Sequence, residues 1–240
     1  MKPEIQSNKI VVFTGSGVSA ESGLPTYRDS NGLWRTHNWH QLASPQGWEL
    51  YPEIVLDFYN ERRQQAWNAQ PNAAHIAIAS LEKYYEVVVI TQNVDELHER
   101  AGSSHVIHLH GQLDYVRGIS ENPKRYKLMG EPISIGTMCE YGTQLRPDVV
   151  WFGEKIEYAS EARQHMRTAA KVLVVGTSLS VYPAATLANA ARGRADKIIV
   201  SFDIQKRPYG YHFIRGQATN LVPSIASDWI SEACNQNLKI

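Results

Sequence analysis

Six short runs rich in β-branched residues, at 10–14, 87–91, 106–109, 149–152, 172–175 and 197–202, are separated by turns of small or polar residues and by stretches with helical spacing. Their near-continuous apolar character suits strands buried on both faces, and strands alternating with helices bury both faces in a parallel sheet covered on each side. The chain is therefore expected to be α/β, with a Rossmann-like parallel sheet and helices on both faces. Helical spacing is clearest at 52–67, 72–84, 95–101, 160–169, 183–191 and 223–234. In the second of these, Ala73, Ile76, Ala77, Ser80, Leu81 and Tyr84 recur at three- and four-residue intervals behind an Asn72 cap, as an amphipathic helix requires.

Two stretches break the alternation. Residues 31–70 are rich in Trp, His and helix, and 112–144 are punctuated by Gly and Pro without strong periodicity. They are expected to be insertions that build a smaller lobe. The main domain would then comprise 1–34, 71–112 and 145–240, and the small one 35–70 and 113–144.

Composition narrows the function. The 24 Lys and Arg balance 24 Asp and Glu, leaving none of the clustered positive charge that phosphate polymers attract, so nucleic acid is not an expected partner. No apolar run approaches the roughly 18 residues of a membrane span, and a cytoplasmic protein without membrane contact is expected. With Cys139 and Cys234 as its only cysteines, the chain is neither a disulfide scaffold nor a four-cysteine metal site.

Four constellations carry candidate chemistry. Directly after the first run, Gly15, Gly17 and Ala20 fit G-x-G-x-x-A, a turn that lets the backbone approach a pyrophosphate. The acidic residue expected about 20 positions on is missing, since Asp29 comes too early and Pro25 and Pro45 break any second strand there. An ordinary dehydrogenase is thereby disfavoured. Next, Asn93 and Asp95 follow a buried run at the end where open α/β sheets bind ligands, though taken alone they are better explained as the caps of a loop. His108 and His110 share one face of a strand and fit a metal pair, a catalytic residue beside a structural one, or two edge histidines. Finally, 176–183 form a second strand-to-helix turn of small polar residues.

Taken together, GSGVSAESGLPTYR, TQNVDELH, HLHG, LRPDVVWFGE and GTSLSVYPAA, in this order, resemble the sirtuin (Sir2) family of NAD-dependent protein deacylases over residues 9–226. The resemblance implies that the main domain binds NAD and that the acyl group of an acylated lysine is passed to ADP-ribose, releasing nicotinamide. Gly15, Ser16, Gly17, Ser19, Ala20, Pro25, Tyr27, Arg28 and Trp34 would fall in the cofactor loop. Gln92, Asn93 and Asp95 would hold the nicotinamide ribose and nicotinamide, with Asn93 and Asp95 supporting His110 as the catalytic base. Gly176, Thr177 and Ser178 would meet the phosphates and adenosine, with Asp203 and Ala218 nearby. Val150, Trp151, Phe152, Gly153 and Glu154 match the strip that clamps a substrate peptide as an added strand. Ser16 and Asp203 stand where the family usually has Ala and Asn.

Two further implications are specific. Asp57 to Arg63 resembles the Phe-Tyr-x-x-Arg-Arg stretch of the class III sirtuins, whose Tyr and Arg, here Tyr59 and Arg62, bind the carboxylate of malonyl or succinyl lysine. Residues 112–144 normally carry two Cys-x-x-Cys-like pairs for structural zinc, whereas Cys139 stands alone here. One thiolate cannot close a tetrahedral site, so no zinc is expected. Leu113, Tyr115, Ile119, Tyr126, Leu128, Met129, Ile133 and Ile135 are expected to supply a replacement core. NAD glycohydrolase, ADP-ribosyltransferase and non-catalytic NAD-sensing readings share the same loops. The substrate strip argues against the first two, and the presence of His110 and Asn93 against the third.

Overall fold

The computed structural model describes residues 4–27, 32–33, 37–120 and 123–237. These form strands β1 (Gln6–Thr14), β2 (Glu86–Thr91), β3 (Val106–His108), β4 (Gly111–Arg117), β5 (Arg125–Lys127), β6 (Arg146–Val149), β7 (Ala169–Val175), β8 (Asp196–Ser201) and β9 (His212–Arg215). The helices are α1 (Gly17–Ala20), α2 (Trp39–Leu42), α3 (Pro45–Leu50), α4 (Pro52–Asn68), α5 (Ala73–Ser80), α6 (Leu97–Arg100), α7 (Ala159–Thr168) and α8 (Ala218–Asn237).

Six strands make one parallel sheet in the order β3-β2-β1-β7-β8-β9. The chain builds outward from β1 in one direction, then crosses back and builds outward from β7 in the other. Beyond the carboxyl ends of β1 and β7 lies the crevice such a reversal creates. Period-two alternation divides β1 between two cores. Val11 and Phe13 pack with Ala162, Met166 and Leu187 on one face, and Ile10 and Val12 pack with Ala74, Ile78, Val222 and Trp229 on the other. No helix among the described residues is long and apolar enough to cross a membrane.

A second, antiparallel sheet has the order β5-β4-β6. Of the run at 149–152, expected as a strand of the main sheet, only Val149 lies in a strand, as the last residue of β6, which pairs with β4. Gly111 makes that pairing possible: its φ is +77°, and a Cβ there would lie 2.0 Å from the Asp148 carbonyl oxygen. The edge strand β9 lacks an apolar run, being half-buried at Phe213 and Ile214 and exposed at its ends, and its spacing gave no signal. The last helix begins at Ala218 rather than near Pro223, because the Glu21 carboxylate accepts from the Ala218 and Thr219 N–H groups and the Thr219 hydroxyl. The segment at 183–191 is a 3-10 helix over Ala184–Ala190 rather than an α-helix.

The small lobe's core differs from the expected one. Leu56, Val116, Ile133 and Leu145 form a buried cluster, with Tyr126 and Leu128 half-buried against it, and Leu113 joins the cluster around Trp151. Ile119, Met129 and Ile135 are exposed. Polar clamps supplement this core. On α4, the Asn60 carboxamide pairs with the Ile133 peptide, donating to its oxygen (2.8 Å) and accepting from its nitrogen (3.1 Å). Arg63, 1% exposed, donates to the Leu113 carbonyl (2.7 Å) and to Asn60 Oδ1 (2.7 Å). Burial pulls the Arg63 guanidinium down to about 10, which still leaves it charged. Asn60→Ala deletes both bonds to Ile133 and should cost about 1–3 kcal/mol, felt locally. Hydrogen exchange should then speed up at 128–145 while β1 and β7 stay protected; unchanged exchange there would remove the clamp from the account.

Candidate active site

The turns that leave β1 and β7 lock together at the crevice. Gly15 N–H donates to the Val175 carbonyl (3.0 Å) and Gly17 N–H to the Gly176 carbonyl (2.8 Å). Gly176 has φ +62°, and a Cβ there would lie 2.2 Å from Val18 N, so no other residue fits without moving the cofactor loop. Asn72, the cap of α5, donates from Nδ2 to the Val18 carbonyl (2.8 Å) and Ser22 Oγ (3.0 Å) and so holds the far side of that loop.

Above these turns lies a cavity of about 780 Å³. Of the residues expected to bind cofactor, Gly15, Ser16, Gly17, Tyr27, Gln92, Asn93 and His110 are on its wall, as are Gly176, Thr177, Ser178, Asp203 and Ala218. All five substrate-strip residues, Val150, Trp151, Phe152, Gly153 and Glu154, line it too, with Tyr59. Ser19, Ala20, Pro25, Asp95 and Arg62 are not on the wall, and Arg28 and Trp34 lie outside the described residues. Sequence reasoning missed Glu21, Phe202 and Gln205 on the wall. Phe202 and Gln205 follow β8 at the carboxyl end of the sheet, the side on which every strand delivers wall residues, and that rule could have found them.

Glycine backbone, the Ser16, Thr177 and Ser178 hydroxyls and the Asp203 carboxylate at one end suit phosphates and ribose, so the residues present fit NAD. Behind the wall, Ser19 Oγ accepts from Asn93 Nδ2 (3.0 Å), which fixes the Asn93 carboxamide. Asp95 is 7% exposed; burial raises its carboxyl, while the Leu97 N–H donates to Oδ1 (3.2 Å).

The two histidines separate by their partners. His110 Nδ1 lies 3.0 Å from the Gln92 carbonyl oxygen, which accepts a hydrogen bond from Nδ1–H, so the neutral ring carries its lone pair at Nε2. Burial, only partly opposed by that bond, lowers its pKa below 6.5. His108 faces two acceptors, the Asn93 carbonyl at Nδ1 (3.0 Å) and the Glu99 carboxylate at Nε2 (2.7 Å). Burial would lower it, but the bond and charge of Glu99 outweigh burial and raise it above 6.5. His108 is thus the structural member of the pair and His110 the one that can accept a proton.

Four amides of the substrate strip are already in use: Val150 N–H donates to the His110 carbonyl (2.9 Å), Trp151 N–H to Glu154 Oε2 (2.8 Å), Phe152 N–H to the Ala43 carbonyl (2.9 Å) and Glu154 N–H to the Trp151 carbonyl (3.0 Å). Gly153 N–H makes no hydrogen bond among the described residues and stands at φ +93°. Arg62, 5% exposed, donates from Nη1 to Gln65 Oε1 (2.7 Å), lies with its guanidinium carbon 5.9 Å from the centroid of the Tyr27 ring, and keeps a buried Nε without a hydrogen bond.

Residues 112–144 contain one cysteine and no histidine, and Cys139 Sγ lies 3.1 Å from Thr143 Oγ1, so this donor set does not fit a thiolate zinc site. Among the described residues one group of metal-capable side chains stands elsewhere, His105, Glu161 and His165, with donor atoms within 4.8 Å of one another.

The sequence model of the Sir2 family matches residues 15–183. The chain is 42% identical over 234 residues to an NAD-dependent protein deacylase of Helicobacter pylori strain J99, covering 96% of this chain and 99% of that one. It is 39% identical over 237 residues to an NAD-dependent protein deacylase of Pyrococcus furiosus, covering 93% and 94%. Among solved structures, a Sir2 homolog bound to NAD superposes with a TM-score of 0.85 at 38% identity, covering 95% of this chain and 91% of that one. A Sir2 mutant with a deacetylated p53 peptide and 3′-O-acetyl-ADP-ribose superposes at 0.77 with 27% identity, covering 93% and 94%.

An NMR titration of the imidazole rings should find His110 losing its charge below pH 6.5 and His108 keeping its charge to above pH 6.5. The opposite order would remove His110 as the proton acceptor.

Proposed function

The chain belongs to the Sir2 family and is an NAD-dependent protein deacylase, and from that premise we propose that it prefers lysines carrying dicarboxylic acyl groups, succinyl and malonyl, over acetyl-lysine. When bound, NAD supplies the ribose carbon that takes the acyl oxygen and the nicotinamide that leaves. The glycine turns 15–17 and 176–178 would hold its phosphates and Asp203 a ribose hydroxyl. Gln92 and Asn93 would hold the nicotinamide half, with Asp95 acting from behind the wall. His110, neutral at working pH, would take a proton at Nε2 from a ribose hydroxyl. Arrangement of these groups before the reaction supplies the orientation, and the apolar wall around Trp151 and Phe152 excludes water.

The observation that carries the acyl preference is the Tyr59 and Arg62 pair. Three residues apart on α4, they share one face. Tyr59 is on the cavity wall, and Arg62 sits against Tyr27, another wall residue, with Nε buried and unpaired. A buried guanidinium N–H without an acceptor is costly, and a carboxylate entering beside Tyr59 would satisfy it. A neutral acetyl group would not. The peptide backbone would dock at Gly153, since the preceding amides are taken. We propose too that residues 112–144 bind no structural zinc.

The kcat/KM for a succinyl peptide should exceed that for the acetyl peptide of the same sequence, and Arg62→Met should lower the succinyl value about 10- to 100-fold, the worth of a charged hydrogen bond, while changing the acetyl value far less. Equal kcat/KM for the two peptides in the unaltered enzyme would sink the reading. The acid limb of the rate should fall below pH 6.5, because protonation of His110 removes the base. Elemental analysis should find the same zinc content in the native chain and in Cys139→Ser, and zinc lost with that thiol would overturn its absence from the lobe.

A further inference from the structure

Trp151 is held at both its peptide and its ring by one ion pair, between the buried Arg146 and the half-buried Glu154. Arg146, at the start of β6, grips the Glu154 carboxylate with two N–H groups, Nη1 to Oε1 at 2.7 Å and Nη2 to Oε2 at 3.1 Å. Glu154 Oε2 also accepts from the Trp151 N–H at 2.8 Å. The Arg146 guanidinium carbon lies 3.3 Å from the centroid of the Trp151 ring, so the same cation that fixes the peptide also clamps the indole face. Two further guanidinium N–H groups are used as well: Nη2 reaches the Val149 carbonyl (2.8 Å) and Nε the Pro147 carbonyl (3.3 Å). Four of the five N–H groups are thus tied within the protein, and Arg146 is absent from the cavity wall.

What the clamp aims is the indole N–H. Trp151 Nε1 donates to the Tyr59 hydroxyl at 3.1 Å, deep in the protein, where Trp151 is 2% and Tyr59 4% exposed. A phenol oxygen that accepts this bond keeps its own proton for another partner, and among the described residues none takes it. Burial raises the Tyr59 phenol above 10, so the proton stays on at any working pH.

We propose that Arg146 and Glu154 are positioning residues which, through the Trp151 indole, lock the Tyr59 hydroxyl as a donor into the acyl cavity and so select acyl groups whose far end is a hydrogen-bond acceptor. The inference rests on the reading that the acyl group lies beside Tyr59, and it deepens that reading: selectivity resides in the direction of the phenol proton as well as in the positive charge of Arg62. An acyl chain ending in a carboxylate receives that proton, an acetyl group is too short to reach it, and a chain ending in an ammonium meets a donor where it needs an acceptor. A bridge that served only to stabilise the strip would affect every acyl group alike.

The test compares succinyl, acetyl and an ammonium-ended acyl peptide of one sequence in the full chain, with nicotinamide exchange as an independent readout. Arg146→Lys keeps the cation but not the two-pronged grip, and it should raise KM for the succinyl peptide about tenfold, the worth of one hydrogen bond, with kcat and nicotinamide exchange little changed. Trp151→Phe, which removes the N–H and keeps an aromatic ring, should lower the ratio of succinyl to acetyl kcat/KM by a similar factor and supplies the answer if Arg146→Lys does not fold. In a Tyr59→Phe background neither substitution should lower that ratio further. The relay is overturned if the two substitutions reduce succinyl and acetyl kcat/KM equally, or if they still lower the ratio once the Tyr59 hydroxyl is gone. It is overturned separately if Tyr59→Phe lowers the ratio and Trp151→Phe does not. An unaltered enzyme with no preference for succinyl over acetyl overturns the parent reading first, and the relay with it.

Discussion

Backbone meets backbone where the turns after β1 and β7 cross, and the rest of the active site depends on that contact. The hydrogen bonds from Gly15 to Val175 and from Gly17 to Gly176 fix the cofactor loop against the second turn with no side chain in between. A cavity wall made of two such turns presents main-chain groups at close range, which phosphate recognition needs and side chains would obstruct. The contact exists because β1 and β7 are neighbours in the sheet, in register from Ile10 and Lys171 to Thr14 and Val175. Strand order, rather than any one residue, therefore places Ser16, Thr177 and Ser178 on one wall.

A buried polar chain carries this order from the sheet to the Asn93 end of the cavity. Thr14 and Thr91 are paired neighbours on β1 and β2, and the Thr14 hydroxyl donates to Thr91 Oγ1 at 2.8 Å. Because Thr14 gives its proton to Thr91, the ring nitrogen of His98 3.0 Å away must be the donor to Thr14, which sets the His98 tautomer. Thr91 Oγ1 then also accepts the Asn93 N–H at 3.0 Å. Asn93 is tied at its backbone N–H to Thr91, at its carbonyl to His108 and at Nδ2 to Ser19, which fixes the orientation of its carboxamide. Burial holds His98 well below pH 6.5, keeping the chain uncharged beneath a site that must bind an anionic dinucleotide and a neutral base together.

The sheet was legible because its strands are buried on both faces, and this writes apolar residues at consecutive positions. The runs at 10–14, 87–91 and 172–175 fall inside β1, β2 and β7. The helix starting at Ala218 was not, because its cap comes from Glu21, almost two hundred positions away, and no local spacing records such a bond. Likewise β6 pairs with β4 through Gly111, so the run at 149–152 was read as a strand of the wrong sheet. In the site, resemblance located the loops, but the split between His108 and His110 follows from which carbonyl and carboxylate face each ring. Those partners, Gln92, Asn93 and Glu99, lie on other elements. Motifs thus identify what is present, and the partners that set its protonation appear only in three dimensions.

In the small lobe one helix serves both the lobe's core and the cavity wall. Along α4, Tyr59 points to the cavity, Asn60 and Arg63 bind the Ile133 peptide and the Leu113 carbonyl, and Leu56 enters the lobe's core. The lobe is hydrogen-bonded to the turn of α4 that also carries Tyr59. The Arg63 guanidinium, charged although nearly fully buried, makes that seam costly to open, because separating the two would strand a cation without its carbonyls.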